Sequence, residues 1–118
     1  MTEFFRVEQA EGIVIVSPLR EISDLAEEGL DAAVNDVVAL YAKSPATDLL
    51  IDLKFVDWLG SAMLETIVSF WQSTRAAGAK LALCNVSPVA TEALKLTKLH
   101  TLGSLYESRQ DAITALKA

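Results

Sequence analysis

A single α/β domain over residues 1–118, built on a mixed β-sheet of four to five strands with about four helices, is the fold that three features of this sequence predict. Short apolar runs rich in β-branched residues alternate with segments whose apolar positions recur every three or four residues. Proline, glycine or a capping residue stands at nearly every boundary between them. The resulting order, β-β-α-β-α-β-α-β-α, places parallel strands in the sheet and joins them by right-handed crossovers.

Each element has its own justification. Phe4 to Gln9 reads as a short strand, Glu11-Gly12 as a turn, and Ile13 to Val16 as a more buried strand that Pro18 closes. Asp24-x-x-Glu27 has the form of a capping box opening a helix, whose apolar face is Leu30, Val34, Val37, Val38 and Tyr41, with Lys43-Ser44-Pro45 as its stop. Leu49 to Leu53 is apolar enough for a central strand covered on both faces. A helix from about Ser61 to Ala77 presents Leu64, Ile67, Val68 and Trp71, and Gly78 supplies a left-handed C-terminal stop. Leu81 to Cys84 is the next buried strand. Ser87-Pro88 then starts a helix, serine as N-cap and proline at the first helical position, running through Ala93 and Leu94 to about Thr97. Gly103 to Tyr106 reads as a short edge strand, and Ser108 as the cap of a last helix containing Ala112, Ile113 and Leu116.

Composition narrows the function classes. Apolar residues make up 52% of the chain, well beyond what a disordered segment carries. No apolar run approaches the ~20 residues of a membrane span, so no direct membrane insertion is expected. The start, Met1 to Phe5, lacks a basic region leading into an apolar stretch, so no secretion signal is expected. The single cysteine, Cys84, excludes an intramolecular disulfide and fits a reducing cytoplasm, the expected location. Residues 1–60 carry 12 acidic and 4 basic side chains, residues 61–118 carry 4 and 6, and six carboxylates without a cation lie between Glu21 and Asp36. That distribution argues against nucleic acid as a partner and suits a basic docking surface, although a merely solvated helix face explains it equally simply.

Catalytic chemistry is sparse. The one histidine, His100, falls in a loop, where an incidental role is the default. No Cys/His cluster has metal-ligand spacing and no glycine-rich loop is suited to phosphates, so no cofactor is expected. Asp52 and Asp57 flank the end of the central strand without a base or nucleophile in the vicinity, and Cys84 reads as a buried, inert thiol. The expectation is a protein that binds and does not catalyse.

The informative stretch is Phe55 to Glu65, which leads from a buried strand through a short loop into a helix, with Ser61 at or beside the helix N-terminus. Free N–H groups and the positive end of the helix dipole favour an anion there. Phosphorylation would add ~−1.5 to −2 charges without unfolding the helix. An ordinary N-cap worth ~1 kcal/mol is the simpler reading of the same spacing.

The segment Val56-Asp57-Trp58-Leu59-Gly60-Ser61-Ala62-Met63-Leu64-Glu65 resembles the loop and helix start of the STAS domain family, which includes bacterial anti-sigma-factor antagonists. The likeness continues through Arg75-Ala76-Ala77-Gly78-Ala79-Lys80-Leu81-Ala82-Leu83-Cys84-Asn85-Val86-Ser87-Pro88, then Leu96 to Leu99 and Leu105 to Ser108. The resemblance implies a switch that binds an anti-sigma factor, a serine kinase of the histidine-kinase-like ATPase type, and lets go when its serine is phosphorylated. Here that serine is Ser61. The partner-binding residues it implies are Asp57, Trp58, Leu59, Gly60, Ser61, Ala62, Met63 and Glu65, with the loop after Pro18 as a further contributor. A weak homodimer is compatible with it.

Three positions depart from the family pattern: Gly60 where aspartate is usual, Met63 where glycine is common, and Glu65 in place of a second glycine. A carboxylate one turn from Ser61 would repel a phosphate. The alternatives are a STAS accessory subunit or scaffold without phosphorylation, for example in a lipid-transport ATPase, and an enzyme or ligand binder using Asp52 and Asp57. Trp58 is expected to pack inward, as the aromatic at this place in the family often does, and Trp71 to lie in the core by its helical spacing.

Overall fold

A computed structural model describes residues 4–22, 27–44 and 47–118. Its strands are β1 (Phe5–Ala10), β2 (Ile13–Pro18), β3 (Asp48–Asp52), β4 (Leu81–Cys84) and β5 (Ser104–Tyr106), and its helices are α1 (Leu30–Ala42), α2 (Ser61–Ala76), α3 (Pro88–Leu96) and α4 (Arg109–Lys117). The strands lie side by side in chain order; β1 and β2 form an antiparallel hairpin and every later pair is parallel. The expected single α/β domain with a mixed sheet is therefore observed, with β3 in the middle.

Alternation along the strands divides the apolar residues into two cores. Val14, Val16, Leu49, Ile51 and Leu83 face a large cluster shared with α1, α2 and α3. Ile13, Ile15, Leu50, Ala82 and Cys84 face the other way, against Ala112 and Ile113 of α4. Both faces of β3 are covered, as its unbroken apolar run requires.

The helix ends show where local chemistry prevails. Ser87 caps α3 by accepting the Ala90 N–H at 3.0 Å, with Pro88 in the first turn, and Ser108 caps α4 by accepting the Asp111 N–H at 3.0 Å. Gly78 has the left-handed φ of 69° expected after α2. The expected capping box is corrected. Asp24 lies outside the described residues, and Glu27 precedes a helix that begins at Leu30 behind Gly29, whose φ is 84°. Glu27 instead forms an ion pair with Arg20.

The inward face of α2 also differs from expectation. The residues it buries are Ala62, Met63, Thr66, Ile67, Phe70 and Thr74; Leu64 and Trp71 are only half-buried, at the margin of the core, and Val68 is half-buried as well. Thr66 and Thr74 are accommodated because their hydroxyls donate to the carbonyls of Ala62 (2.8 Å) and Trp71 (2.7 Å). Polar residues thus mark the buried stripe and conceal it from a hydropathy count. A 3-10 turn, Leu99–Thr101, precedes β5 and was not expected.

Candidate functional site

The loop between β3 and α2 is held by three apolar pegs at a spacing of three. Leu53, Val56 and Leu59 are buried, whereas Lys54, Phe55, Asp57 and Trp58 face solvent. Backbone bonds set the loop's course: the Leu53 N–H donates to the Cys84 carbonyl at 3.0 Å and the Val56 N–H to the Leu53 carbonyl at 3.0 Å. Phe55 is 44% exposed beneath the Lys54 ammonium, which lies 5.1 Å from its ring centroid.

Trp58 is 43% exposed, which corrects its expected inward packing. Leu59 occupies the inward position beside it. The indole lies against Gly60, where an added Cβ would come within 2.7 Å of a ring carbon. Glycine at this place gives the indole room to fold back along its own loop.

Asp57 connects three segments through its backbone. Its N–H donates to a Glu21 carboxylate oxygen at 2.8 Å, and its carbonyl accepts the Ser87 hydroxyl at 2.5 Å. The residues after Pro18, the β3–α2 loop and the N-terminus of α3 thereby form one surface. Val89, 63% exposed, lies two residues beyond Ser87 in the first turn of α3. Glu21 belongs to the loop after Pro18, the further contributor that the family resemblance implies; the Ser87 contact carries no sequence signal, because only tertiary hydrogen bonds bring these segments together.

Ser61 is the first residue of α2, exposed, with a hydroxyl that has no hydrogen-bond partner among the described residues. Gly60, in extended conformation, is the N-cap, so Ser61 is not the ordinary cap that its spacing suggested. The first intrahelical bond of this turn runs from the Leu64 N–H to the Gly60 carbonyl at 3.0 Å, so the earlier N–H groups of the turn have no intrahelical acceptor. A free hydroxyl thus sits at the positive end of a 16-residue helix, with Glu65 exposed one turn further on.

Not every expected contact residue reaches this surface. Leu59, Ala62 and Met63 are buried in the large core and present no side chain to a partner. Asp57, Trp58, Gly60, Ser61 and Glu65 remain. Met63 fills core space below the first turn, so its bulk does not crowd Ser61 from outside.

The two carboxylates considered for chemistry have different surroundings. Asp52 is fully buried and accepts from Arg109 Nε at 3.0 Å, Asn85 Nδ2 at 2.9 Å and the Lys54 N–H at 3.1 Å. Asp57 stands at the surface. Asp52 is therefore an anchor for α4 and for the start of the loop. His100 Nδ1 lies 3.3 Å from the Leu94 carbonyl, where the ring ties the 3-10 turn to α3. Among the described residues no group of three His, Cys, Asp or Glu could hold a metal ion, and no helix is long and apolar enough to cross a membrane.

A five-stranded mixed sheet with a strand–loop–helix unit presenting a serine at a helix start defines a class. The chain belongs to the STAS domain family, whose model matches residues 4–112. Among solved structures it is similar to an anti-sigma factor antagonist from Mycobacterium paratuberculosis, with 30% identity, a TM-score of 0.73, and 97% of this chain and 93% of that one covered. It is also similar to an anti-sigma-factor antagonist (STAS) domain protein from Planctomyces limnophilus, at 23% identity, TM-score 0.72 and coverage of 97% and 98%. The anti-sigma factor antagonist SpoIIAA in its unphosphorylated form shares the fold at 13% identity, TM-score 0.69 and 96% coverage of each chain. No curated protein matches the chain.

Proposed function

We propose that this chain is a non-enzymatic, cytoplasmic regulator of the anti-sigma factor antagonist kind. It binds an anti-sigma factor that is a serine kinase of the histidine-kinase-like ATPase type, and phosphorylation of Ser61 releases it, so that transcription follows the state of one hydroxyl. The observation that carries this reading is the exposed, unbonded Ser61 hydroxyl at the first position of α2, beside Asp57 and Trp58.

The physics fits a switch that leaves the fold intact. A phosphate at this helix end gains ~0.3–1 kcal/mol from the dipole and the free N–H groups. Repulsion from the exposed Glu65 offsets part of that gain. The net effect on stability is small. A partner that accommodates Ser61 closely, by contrast, would have to bury ~1.5 to 2 additional charges.

The test is to incubate the chain with its cognate kinase and ATP, then measure intact mass and complex formation. One phosphate on Ser61 is expected, abolished in Ser61→Ala. Ser61→Ala should retain binding, and Ser61→Asp should weaken it about tenfold or more. Complete coverage of the peptide without phosphate, together with unimpaired binding of Ser61→Asp, would refute the switch. The Glu65 carboxylate favours one second reading, a STAS accessory subunit or scaffold without phosphorylation, for example of a lipid-transport ATPase, which recovery from cells of transporter subunits and no such kinase with the chain would support.

A further inference from the structure

A groove of about 840 Å³ lies along the outer edge of β5, at the end of α2 remote from Ser61. Ser61 and Arg75 are about 21 Å apart along that helix at 1.5 Å per residue. Trp71 and Arg75 of α2 form one wall, Leu116 of α4 the other, and β5 lies between them. Among the described residues β5 pairs with β4 alone and is the last strand of the sheet.

Two observations suggest what this edge takes. The first is alternation: Leu105 packs with the large core and Tyr106 with the α4 core. An extended segment laid along β5 would point its side chains in turn toward Leu105 and Trp71, then toward Tyr106 and Leu116. The second is charge. Arg75 and Lys80 are exposed at this groove and have no ion-pair partner among the described residues, in a chain of net charge −6. The Arg75 guanidinium rests 5.4 Å from the Trp71 ring centroid. Asp48, the carboxylate next to Lys80, accepts the Lys80 backbone N–H at 2.8 Å.

A second copy of the chain fits poorly. Among the described residues the other edge strand is β1, which carries the cation Arg6; Glu8 on it is paired with Arg109, and Glu11 at its end with Lys117. We propose that the β5 edge is a second docking site, taking an extended acidic segment of another protein as a sixth strand. This inference is independent of the role given to Ser61.

The test uses the full chain, isotope-labelled for NMR, titrated with a short capped peptide alternating glutamate with valine. Expected are shift changes and slowed amide exchange at Ser104–Tyr106, with a shift of the Trp71 indole N–H. The combined change R75E and K80E, on exposed side chains and with an unchanged melting curve, should weaken binding about tenfold or more. Four outcomes would overturn the proposal: no shifts, shifts gathered at the Asp57–Ser61 loop, equal binding of the lysine analogue of the peptide, or β5 shifts that follow protein concentration without peptide. The last would identify a second copy as the occupant.

Discussion

Trp58 and Gly60 act as a pair. The indole occupies the space that a Cβ on Gly60 would need, and it remains 43% exposed. A large aromatic so exposed contributes little to folding and is well placed to contribute to binding. Trp58→Ala should therefore change unfolding free energy by less than about 1 kcal/mol yet weaken the proposed kinase complex by about 2 kcal/mol or more. Urea unfolding and calorimetric titration check the two halves; a large stability loss with unchanged affinity would return the indole to a structural role. At this scale the sequence was informative about position and misleading about direction. Phe55, Trp58 and Leu59 are all apolar, and only the pegs at 53, 56 and 59 decide that Leu59 points inward. A period of three in a loop has no regular hydrogen-bond pattern to enforce it, so hydropathy alone could not reveal it.

Among the elements, α4 shows how a short helix can be held by charge as well as by apolar area. Arg109 at its start reaches Asp52 Oδ2 at 3.0 Å, a Glu8 carboxylate oxygen at 3.1 Å and Ser17 Oγ at 3.4 Å. Lys117 at its end pairs with Glu11 at 2.6 Å on the open surface. Burial separates the two anchors energetically. Asp52→Ala removes a fully buried acceptor and strands the Asn85 amide and part of the Arg109 guanidinium, a loss of roughly 2–4 kcal/mol. Lys117→Ala should shift stability by roughly 0–1 kcal/mol. Denaturant midpoints of the two variants compare them directly, and equal shifts would show that Asp52 is no anchor. The caps at Ser87 and Ser108 could be read from sequence because their partners are three residues away. The Asp52–Arg109 pair spans 57 residues and left no local trace.

At the scale of the whole molecule, the thiol of Cys84 reports on the closed sheet. Burial, reinforced by the nearby Asp52 carboxylate, pushes it up to about 12 from the ordinary 9.0. In the unfolded chain the thiol loses its proton near pH 9, whereas in the folded chain it retains it to about pH 12. Rising pH therefore favours the unfolded state across that window, with a slope approaching about 1.4 kcal/mol per pH unit, and has no such effect below it. Comparing the stability of the wild type with that of Cys84→Ala from pH 8 upward should show the wild type's advantage shrinking above about pH 9. Below that pH, alkylation of Cys84 should proceed only as fast as the sheet opens globally. Labelling much faster than unfolding would place the thiol outside the core.

What the sequence alone determined is what depends on neighbours along the chain: the alternating strand and helix order, the serine caps, the glycine stop after α2, the single α/β domain and the loop-to-helix segment that carries the STAS resemblance. These follow from side-chain period and backbone chemistry within a few residues. The tertiary structure decided which side chains face out of the β3–α2 loop, that Gly60 and not Ser61 caps α2, and that Glu21, Asp57 and Ser87 share one surface. It also decided that β5 leaves a cationic edge open. The reason is physical. Exposure and contact between segments 30 or more residues apart are settled by how helices pack on the sheet, and hydropathy is read one residue at a time.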